Sequence, residues 1–117
     1  ETTSGDVPSG RIGASLVAHP TLDLLILHGG STSAPSGADS PSELVALLDT
    51  TSMVWSQPAN LQPASSAAKS HHSSIMTPSG IMISAFGLSS SNTPRSDVSY
   101  LDARSSDPTS WTWATTW

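Results

Sequence analysis

The feature that most constrains this chain is the segment from Thr21 to Gly30, TLDLLILHGG. Pro20 precedes its apolar run, and His28 and two glycines end it. A run this short does not make a stable isolated helix, and its boundaries are those of a strand followed by a tight turn. We therefore predict a buried strand from Leu22 to His28.

A related segment, IMISAFGL, occupies residues 81–88, 58 residues further along the chain. Other positions recur at the same or a similar offset. These pairs are Arg11 and Lys69, Gly29 and Gly87, Asp49 and Asp102 (offset 53), and Trp55 and Trp113. Length changes confined to loops are typical of stacked repeats. The sequence thus predicts two copies of one structural unit.

Each copy is predicted to form four short strands. Ser and Thr make up about a third of the chain, and 9 Pro and 8 Gly accompany them, which favours short strands and turns over helices. The predicted strands are residues 11–19, 22–28, 43–49 and 53–55, then 69–76, 81–86, 97–102 and one carrying Trp111 and Trp113. The expected fold is all-β, with two four-stranded antiparallel sheets.

Four regions follow from this pattern. Residues 1–10 are polar and are predicted to be an N-terminal arm. Residues 11–57 form the first repeat, residues 58–68 a linker, and residues 69–117 the second repeat. Because the chain begins without Met or a signal peptide, we expect it to be processed or excised from something longer.

Composition excludes several classes of function. A net charge of −5 with only four Lys and Arg disfavours nucleic acid and anionic membrane surfaces as partners. The absence of Cys removes disulfides and thiolate chemistry, and no apolar run is long enough to span a membrane. The Ser/Thr/Pro-rich composition resembles that of secreted, O-glycosylated proteins, so we expect an extracellular or cell-surface location.

The order of these features resembles the kelch motif. In this motif a basic residue precedes a strand, an apolar strand ends in Gly-Gly, an acidic strand ends in Asp, and Trp follows. The first copy carries Arg11, Gly29, Gly30, Asp49 and Trp55, and the second carries Lys69, His72, Gly87, Asp102 and Trp113. The second copy departs from the motif, because Gly-Gly becomes Gly87-Leu88 and the tryptophans lie nine and eleven residues past Asp102.

The resemblance implies that each copy is a β-propeller blade. Propellers contain four to eight blades, so two blades do not close a ring. Three explanations remain open: missing blades of a parent chain, assembly of several copies, or two sheets packed as a sandwich. Some kelch-like propellers are copper radical oxidases with a Cys-linked Tyr, and this chain has no Cys and a single Tyr100.

Candidate site residues mostly have structural interpretations. His71 and His72 are adjacent, so on a strand they point to opposite faces and do not share one metal ion. His72 is expected to pack within its blade, and Asp49, Asp97 and Asp102 are expected to support turns rather than bind calcium. Serine is abundant, but no G-x-S-x-G elbow is present. We predict no catalytic residue, no metal and no cofactor.

The tryptophans are the strongest candidates for contacts. Trp55 and Trp113 are expected to pack in the core or between blades, whereas Trp111 and Trp117 are candidate interface residues. The sequence therefore favours a non-enzymatic module that binds copies of itself or the missing blades of a parent chain. Its long loops, residues 31–42 and 88–96, are expected to take part in binding.

Two alternatives remain open. One is a fragment of a larger secreted propeller with glycan-binding or oxidase-like activity, with carbohydrate as a further candidate partner. The other is a structural subunit of an extracellular fibre.

Overall fold

The computed structural model describes residues 2–31, 44–62, 69–89 and 93–116, and these residues form two β-sheets. The strands of sheet 1 are β1 (Ser4–Gly5), β2 (Ser15–Ala18), β3 (Leu24–His28), β4 (Val45–Asp49) and β5 (Val54–Ser56). The strands of sheet 2 are β6 (Ser73–Met76), β7 (Ile81–Ala85), β8 (Val98–Asp102) and β9 (Thr112–Ala114). The all-β prediction is confirmed, with four consecutive strands from each repeat in one sheet.

Both sheets are open, and within each sheet the four strands of the repeat follow the chain order. Sheet 2 has the order β6-β7-β8-β9 and is entirely antiparallel. Sheet 1 has the order β1-β5-β4-β3-β2, so it contains five strands rather than the four predicted. The fifth strand comes from the predicted N-terminal arm, where Ser4 and Gly5 pair in parallel with Val54 and Trp55. Strand β5 would otherwise be an edge with unpaired backbone groups, and the arm satisfies some of them.

In each repeat, a residue with a left-handed backbone lies just before the first strand, so this strand begins at a later residue than predicted. Gly13 has φ 67° and His71 has φ 54°, so the strands predicted from residues 11 and 69 begin only at Ser15 and Ser73. The residues before them form isolated antiparallel bridges instead, Ile12 with Ser31 and Ser70 with Leu88, just past the ends of the neighbouring strands. The same backbone conformation thus occurs in both repeats, with histidine replacing glycine in the second.

Strand pairing corrects the alignment of the two repeats by one residue. Ser15 pairs with His28 in sheet 1, whereas Ser73 pairs with Ala85 in sheet 2. The first members of these pairs are 58 residues apart and the second members only 57. The cause is the turn before the second strand of each repeat, which has five residues in the first repeat and four in the second.

The glycines at the strand ends follow this corrected alignment. Gly29 and Gly30 have φ values of 67° and 97°, and Phe86 and Gly87 have 64° and 89°. Gly87 therefore corresponds to Gly30, and Phe86 corresponds to Gly29. The prediction that aligned Gly87 with Gly29 was wrong by one position.

The core lies between the two sheets. Its buried members come from the middle strands of each sheet and from the segments beside them; they are Ile26, Leu44, Val45, Leu47, Leu61, Met82, Leu101, Ala103 and Trp111. The most completely buried strand is β4, whose residues 45–48 are all buried, while β3 is buried only in part. Strand β4 is the central strand of the five in sheet 1, so neighbours cover it on both sides.

Within the described ranges, no helix has the length and apolar character needed to cross a membrane.

Candidate functional site

The contact between the sheets is mostly apolar. Leu24, Ile26 and Leu47 of sheet 1 belong to the same cluster as Met82 and Leu101 of sheet 2. Fully burying one such side chain contributes about 1.5–3 kcal/mol. This contact is therefore the main source of stability in the described residues.

Polar side chains replace apolar ones at the end of the contact nearest Gly29. The Ser15 hydroxyl donates a hydrogen bond to Ser74 Oγ at 2.8 Å and lies 2.9 Å from His72 Nε2. On the next pair of strands, Ser84 Oγ lies 3.3 Å from His28 Nδ1. Each of these bonds joins one sheet to the other. We call this group the polar end; its members are Ser15, His28, Lys69, His72, Ser74 and Ser84.

Aromatic rings pack together at the polar end. The imidazole of His28 is fully buried, and its centroid lies 4.6 Å from that of His72 and 4.9 Å from the nearer ring of Trp113. No pattern in the sequence indicated that His28 and His72 would meet, because they belong to different repeats and to non-equivalent positions. Only the packing of one sheet on the other brings them together.

The hydrogen bonds of Ser15 determine which nitrogen of the His72 ring carries the proton. Because the Ser15 proton is donated to Ser74, His72 Nε2 carries a proton and donates to Ser15 Oγ. His72 Nδ1 is then unprotonated, is buried, and has no hydrogen-bond partner among the described residues. Burial, followed by the positive charges of Lys69 and His71, lowers the pKa of His72 to about 4. The ring is therefore neutral at neutral pH.

This arrangement does not activate a nucleophile. A serine–histidine pair works when the imidazole accepts the hydroxyl proton and a third group orients the ring. Here the Ser15 proton goes to Ser74, and His72 Nδ1 has no carboxylate partner among the described residues. An imidazole with a pKa near 4 is also a weak base at neutral pH.

Lys69 is buried beside the two histidines. Its side chain has 0% exposure, and its Nζ donates to the Ser84 carbonyl at 3.4 Å and lies 3.8 Å from Asp97 Oδ2. Burial lowers the pKa of Lys69, although the charge of Asp97 opposes this. Asp97 is itself held by Arg95 through two bonds of 2.7 Å. Burial opposes ionisation of Asp97, but hydrogen bonding to Arg95 and the charge of Lys69 lower its pKa overall.

Backbone hydrogen bonds join the repeats next to the polar end. The Gly30 N–H donates to the Lys69 carbonyl at 2.9 Å, and the His71 N–H donates to the Gly13 carbonyl at 2.7 Å. A Cβ atom on Gly29 would overlap the Lys69 carbonyl oxygen and lie 2.7 Å from His72 Cε1. Gly29 is thus required both for its left-handed backbone and for this close approach.

A second group of contacts joins the two sheets at the end opposite the polar end. His19 Nε2 donates to the Ala103 carbonyl at 2.7 Å, and its Nδ1 accepts the N–H groups of Thr21 and Leu22 at 3.2 and 3.1 Å. The His19 ring also stacks on Trp111, with centroids 5.6 Å apart and planes 11° apart. All its polar atoms are used, so His19 is a structural link between the sheets.

The tryptophans occupy three different environments. Trp111 is 1% exposed and donates its indole N–H to Ser105, so it is buried between the sheets and is not available to another chain. Trp113 packs against the core and donates to the Leu61 carbonyl at 3.2 Å. Trp55 is half-buried on the other side of sheet 1. Trp117 lies outside the described residues, as do residues 32–42 and 90–92 of the predicted binding loops.

The remaining motif residues support local structure. Arg11 donates to the Gly29 carbonyl at 3.1 Å. Asp49 Oδ1 accepts the backbone N–H groups of the turn that follows it, at 2.8 and 3.1 Å. Asp102 binds the side chain of Arg104 at 2.7 Å and accepts its N–H. No group of three His, Cys, Asp or Glu side chains suited to a metal ion occurs in the described part of the chain.

Each sheet also has an outer face, because successive strand residues point to opposite sides. The Trp55 face of sheet 1 consists of Leu16, Ala18, Leu25, Leu27, Ala46, Leu48 and Trp55. The Ile75 face of sheet 2 consists of Ser73, Ile75, Ile81, Ile83, Ala85, Val98 and Tyr100. Leu16 is 56% exposed, Ile75 is 62% exposed, and Phe86 beside the Ile75 face is 58% exposed. Each outer face therefore presents one strongly exposed apolar side chain, whereas Ala46 and Leu48 of the Trp55 face and Ile81 of the Ile75 face are buried.

Gly29→Ala is expected to lower the free energy of unfolding by about 2 kcal/mol or more, because its Cβ meets backbone and its φ is positive. Gly10→Ala is the matched control, since nothing lies within 4 Å of its Cβ position. That variant is expected to change stability by about 0.5 kcal/mol or less. Urea unfolding measures both, and equal effects would contradict the close approach at Gly29.

Acidification is expected to destabilise the protein through His72. Between pH 6.5 and about 4, the unfolded state binds a proton at this residue and the folded state does not, so stability falls as the pH falls. His72→Gln, which keeps a donor to Ser15, should flatten this dependence while leaving the other histidines in place. Urea unfolding of both proteins from pH 4.5 to 7 tests this, and parallel curves would show that His72 is not the group responsible.

Lys69→Met is expected to leave the free energy of unfolding at pH 7 unchanged or to raise it, because a desolvated ammonium group is replaced by an apolar side chain of similar length. The ammonium group is buried with distant partners, and Asp97 keeps Arg95 when Lys69 is replaced. Chemical denaturation provides the measurement. A loss of stability in Lys69→Met would mean that the contacts of the ammonium group outweigh its desolvation.

No protein-family model matches this sequence, and no curated protein matches it with significant similarity.

Proposed function

We propose that this chain is a non-enzymatic, kelch-like binding and assembly module that associates with copies of itself outside the cell. The observation that carries the proposal is the second apolar face on each sheet. One face of each sheet is already covered within the chain, and the other presents Leu16 or Ile75 at more than half exposure. Around them lie half-buried apolar side chains, Leu25 and Leu27 beside Leu16 and Ile83 beside Ile75, and apolar surface grouped on one face is typical of interaction sites.

The repeat organisation supports the kelch-like part of the proposal. Each repeat contributes four consecutive strands in the same order, with equivalent left-handed residues before the first strand and after the second. Two such sheets are too few to close a propeller, which has four to eight. Further sheets must come from other copies or from a longer parent chain, and the open faces are where those sheets would pack.

The extracellular location is supported by composition alone. A composition rich in Ser, Thr and Pro resembles that of secreted, O-glycosylated proteins. A fibre subunit is the second candidate, favoured by the same open faces. It would result if successive contacts did not close into a ring.

Self-association is expected to appear as species heavier than the 12.0 kDa chain, with a population that grows with concentration. Sedimentation equilibrium from low to high micromolar concentration makes this measurement. Ile75→Ser should shift the distribution towards monomer, because it removes the most exposed large apolar side chain of an outer face. Ser52→Ala, a substitution in an exposed turn, should leave it unchanged. A wild-type protein that stays monomeric at all concentrations would contradict the proposal.

A further inference from the structure

We infer that the two outer faces are complementary to each other, so that the Trp55 face of one copy packs on the Ile75 face of a second copy. This inference rests on the proposed self-association and specifies its geometry. The contact is head to tail, with unlike faces meeting, rather than a two-fold contact between like faces.

Each sheet has one tryptophan-bearing face, and these two faces are equivalent. Across sheet 2, strand pairing places Met82, Leu101 and Trp113 in one row. Across sheet 1, the equivalent row is Leu25, Leu48 and Trp55. The row in sheet 2 packs against sheet 1 within the chain. The row in sheet 1 has the same apolar character and lies on an outer face.

The face on which a tryptophan-bearing face packs, which we call the receiving face, is also equivalent in the two sheets. The face of sheet 1 that contacts sheet 2 contains the row Val17, Ile26 and Leu47. The equivalent row of sheet 2 is Ile75, Ile83 and Tyr100, and it forms the centre of the Ile75 face. This row is again apolar, and again it lies on the outside.

The chain therefore pairs one face of each kind and leaves one face of each kind without a partner sheet among the described residues. In the contact inside the chain, the tryptophan-bearing face of sheet 2 meets the receiving face of sheet 1. A second copy placed in the same relation brings its Trp55 face onto the Ile75 face of the first, so the contact continues an interface that already exists inside the molecule. A two-fold contact would instead join like faces, a pairing for which the chain offers no precedent in its described residues.

One position shows how the contact between copies differs from the internal one. Inside the chain, Gly29 faces the ring of His72. At the contact between copies, Phe86 of the first copy takes the place of Gly29, and Ala14 of the second copy takes the place of His72. The large side chain therefore belongs to the opposite partner. This exchange keeps a ring in the space between the sheets, and it explains an exposed phenylalanine with a left-handed backbone.

The exchange also limits how closely the copies approach. A Cβ at Gly29 would overlap the Lys69 carbonyl, and Phe86 does carry a Cβ. The carbonyl of residue 11 in the second copy must therefore lie further from Phe86 than the Lys69 carbonyl lies from Gly29. The contact between copies is expected to be weaker at this end and to depend more on the apolar rows.

Two variants with one blocked face each provide the test. Leu16→Arg places a charge on the Trp55 face, and Ile75→Arg places a charge on the Ile75 face. Both side chains are more than half exposed, so both variants are expected to fold, which circular dichroism checks. Each variant alone should be monomeric. A 1:1 mixture should form a dimer containing one copy of each, because each variant supplies the face that the other lacks.

The possible results distinguish a failure of head-to-tail pairing from a failure of self-association. A mixed dimer from two monomeric variants, measured by sedimentation with one variant fluorescently labelled, supports head-to-tail pairing. If the wild type assembles and one variant still forms a homodimer while the other does not, like faces meet, which overturns the inference and leaves self-association standing. If the wild type and the mixture are both monomeric, the proposed function fails as well.

Discussion

The packing of one sheet on the other is the interaction on which the rest of the structure depends. Neither sheet can bury its apolar side chains alone, because each consists of short strands with apolar residues on both sides. Ile26, Leu47, Met82 and Leu101 leave water only when the sheets meet. The close approach at Gly29 and the stacking of His19 on Trp111 have the same origin, since both exist only across this contact.

Polar groups at the two ends give this contact its alignment. Apolar packing is not directional, so sheets held by it alone are free to slide or rotate. The polar end fixes one end through Ser15 and His72, and His19 fixes the other through the Ala103 carbonyl. The buried ammonium group of Lys69 and the His72 Nδ1 atom, which has no hydrogen-bond partner in the described part of the chain, carry a cost in stability. We interpret that cost as the consequence of specifying one arrangement, as buried polar groups do in some other proteins.

The sequence predicted the number, order and approximate position of the repeat strands, because apolar runs and glycines mark strands and turns directly. It did not predict that the arm adds a strand, since Ser4 and Gly5 have no strand pattern of their own and pair only because β5 offers an edge. The alignment of Gly87 with Gly29 was wrong because residue identity concealed a turn shortened by one residue. The meeting of His28 and His72 was beyond the sequence, since it depends on how the two sheets are aligned.

The two repeats form one unit joined along this contact. Native-state amide hydrogen exchange tests it most directly, through the N–H groups of Gly30 and His71, which bond across the repeats. If the repeats are joined in this way, both amides are protected as strongly as the interior amides of β3 and β7, and all of them are exposed together in one cooperative opening. Rapid exchange at Gly30 and His71 while the strands stay protected would show that the sheets are not joined in this way.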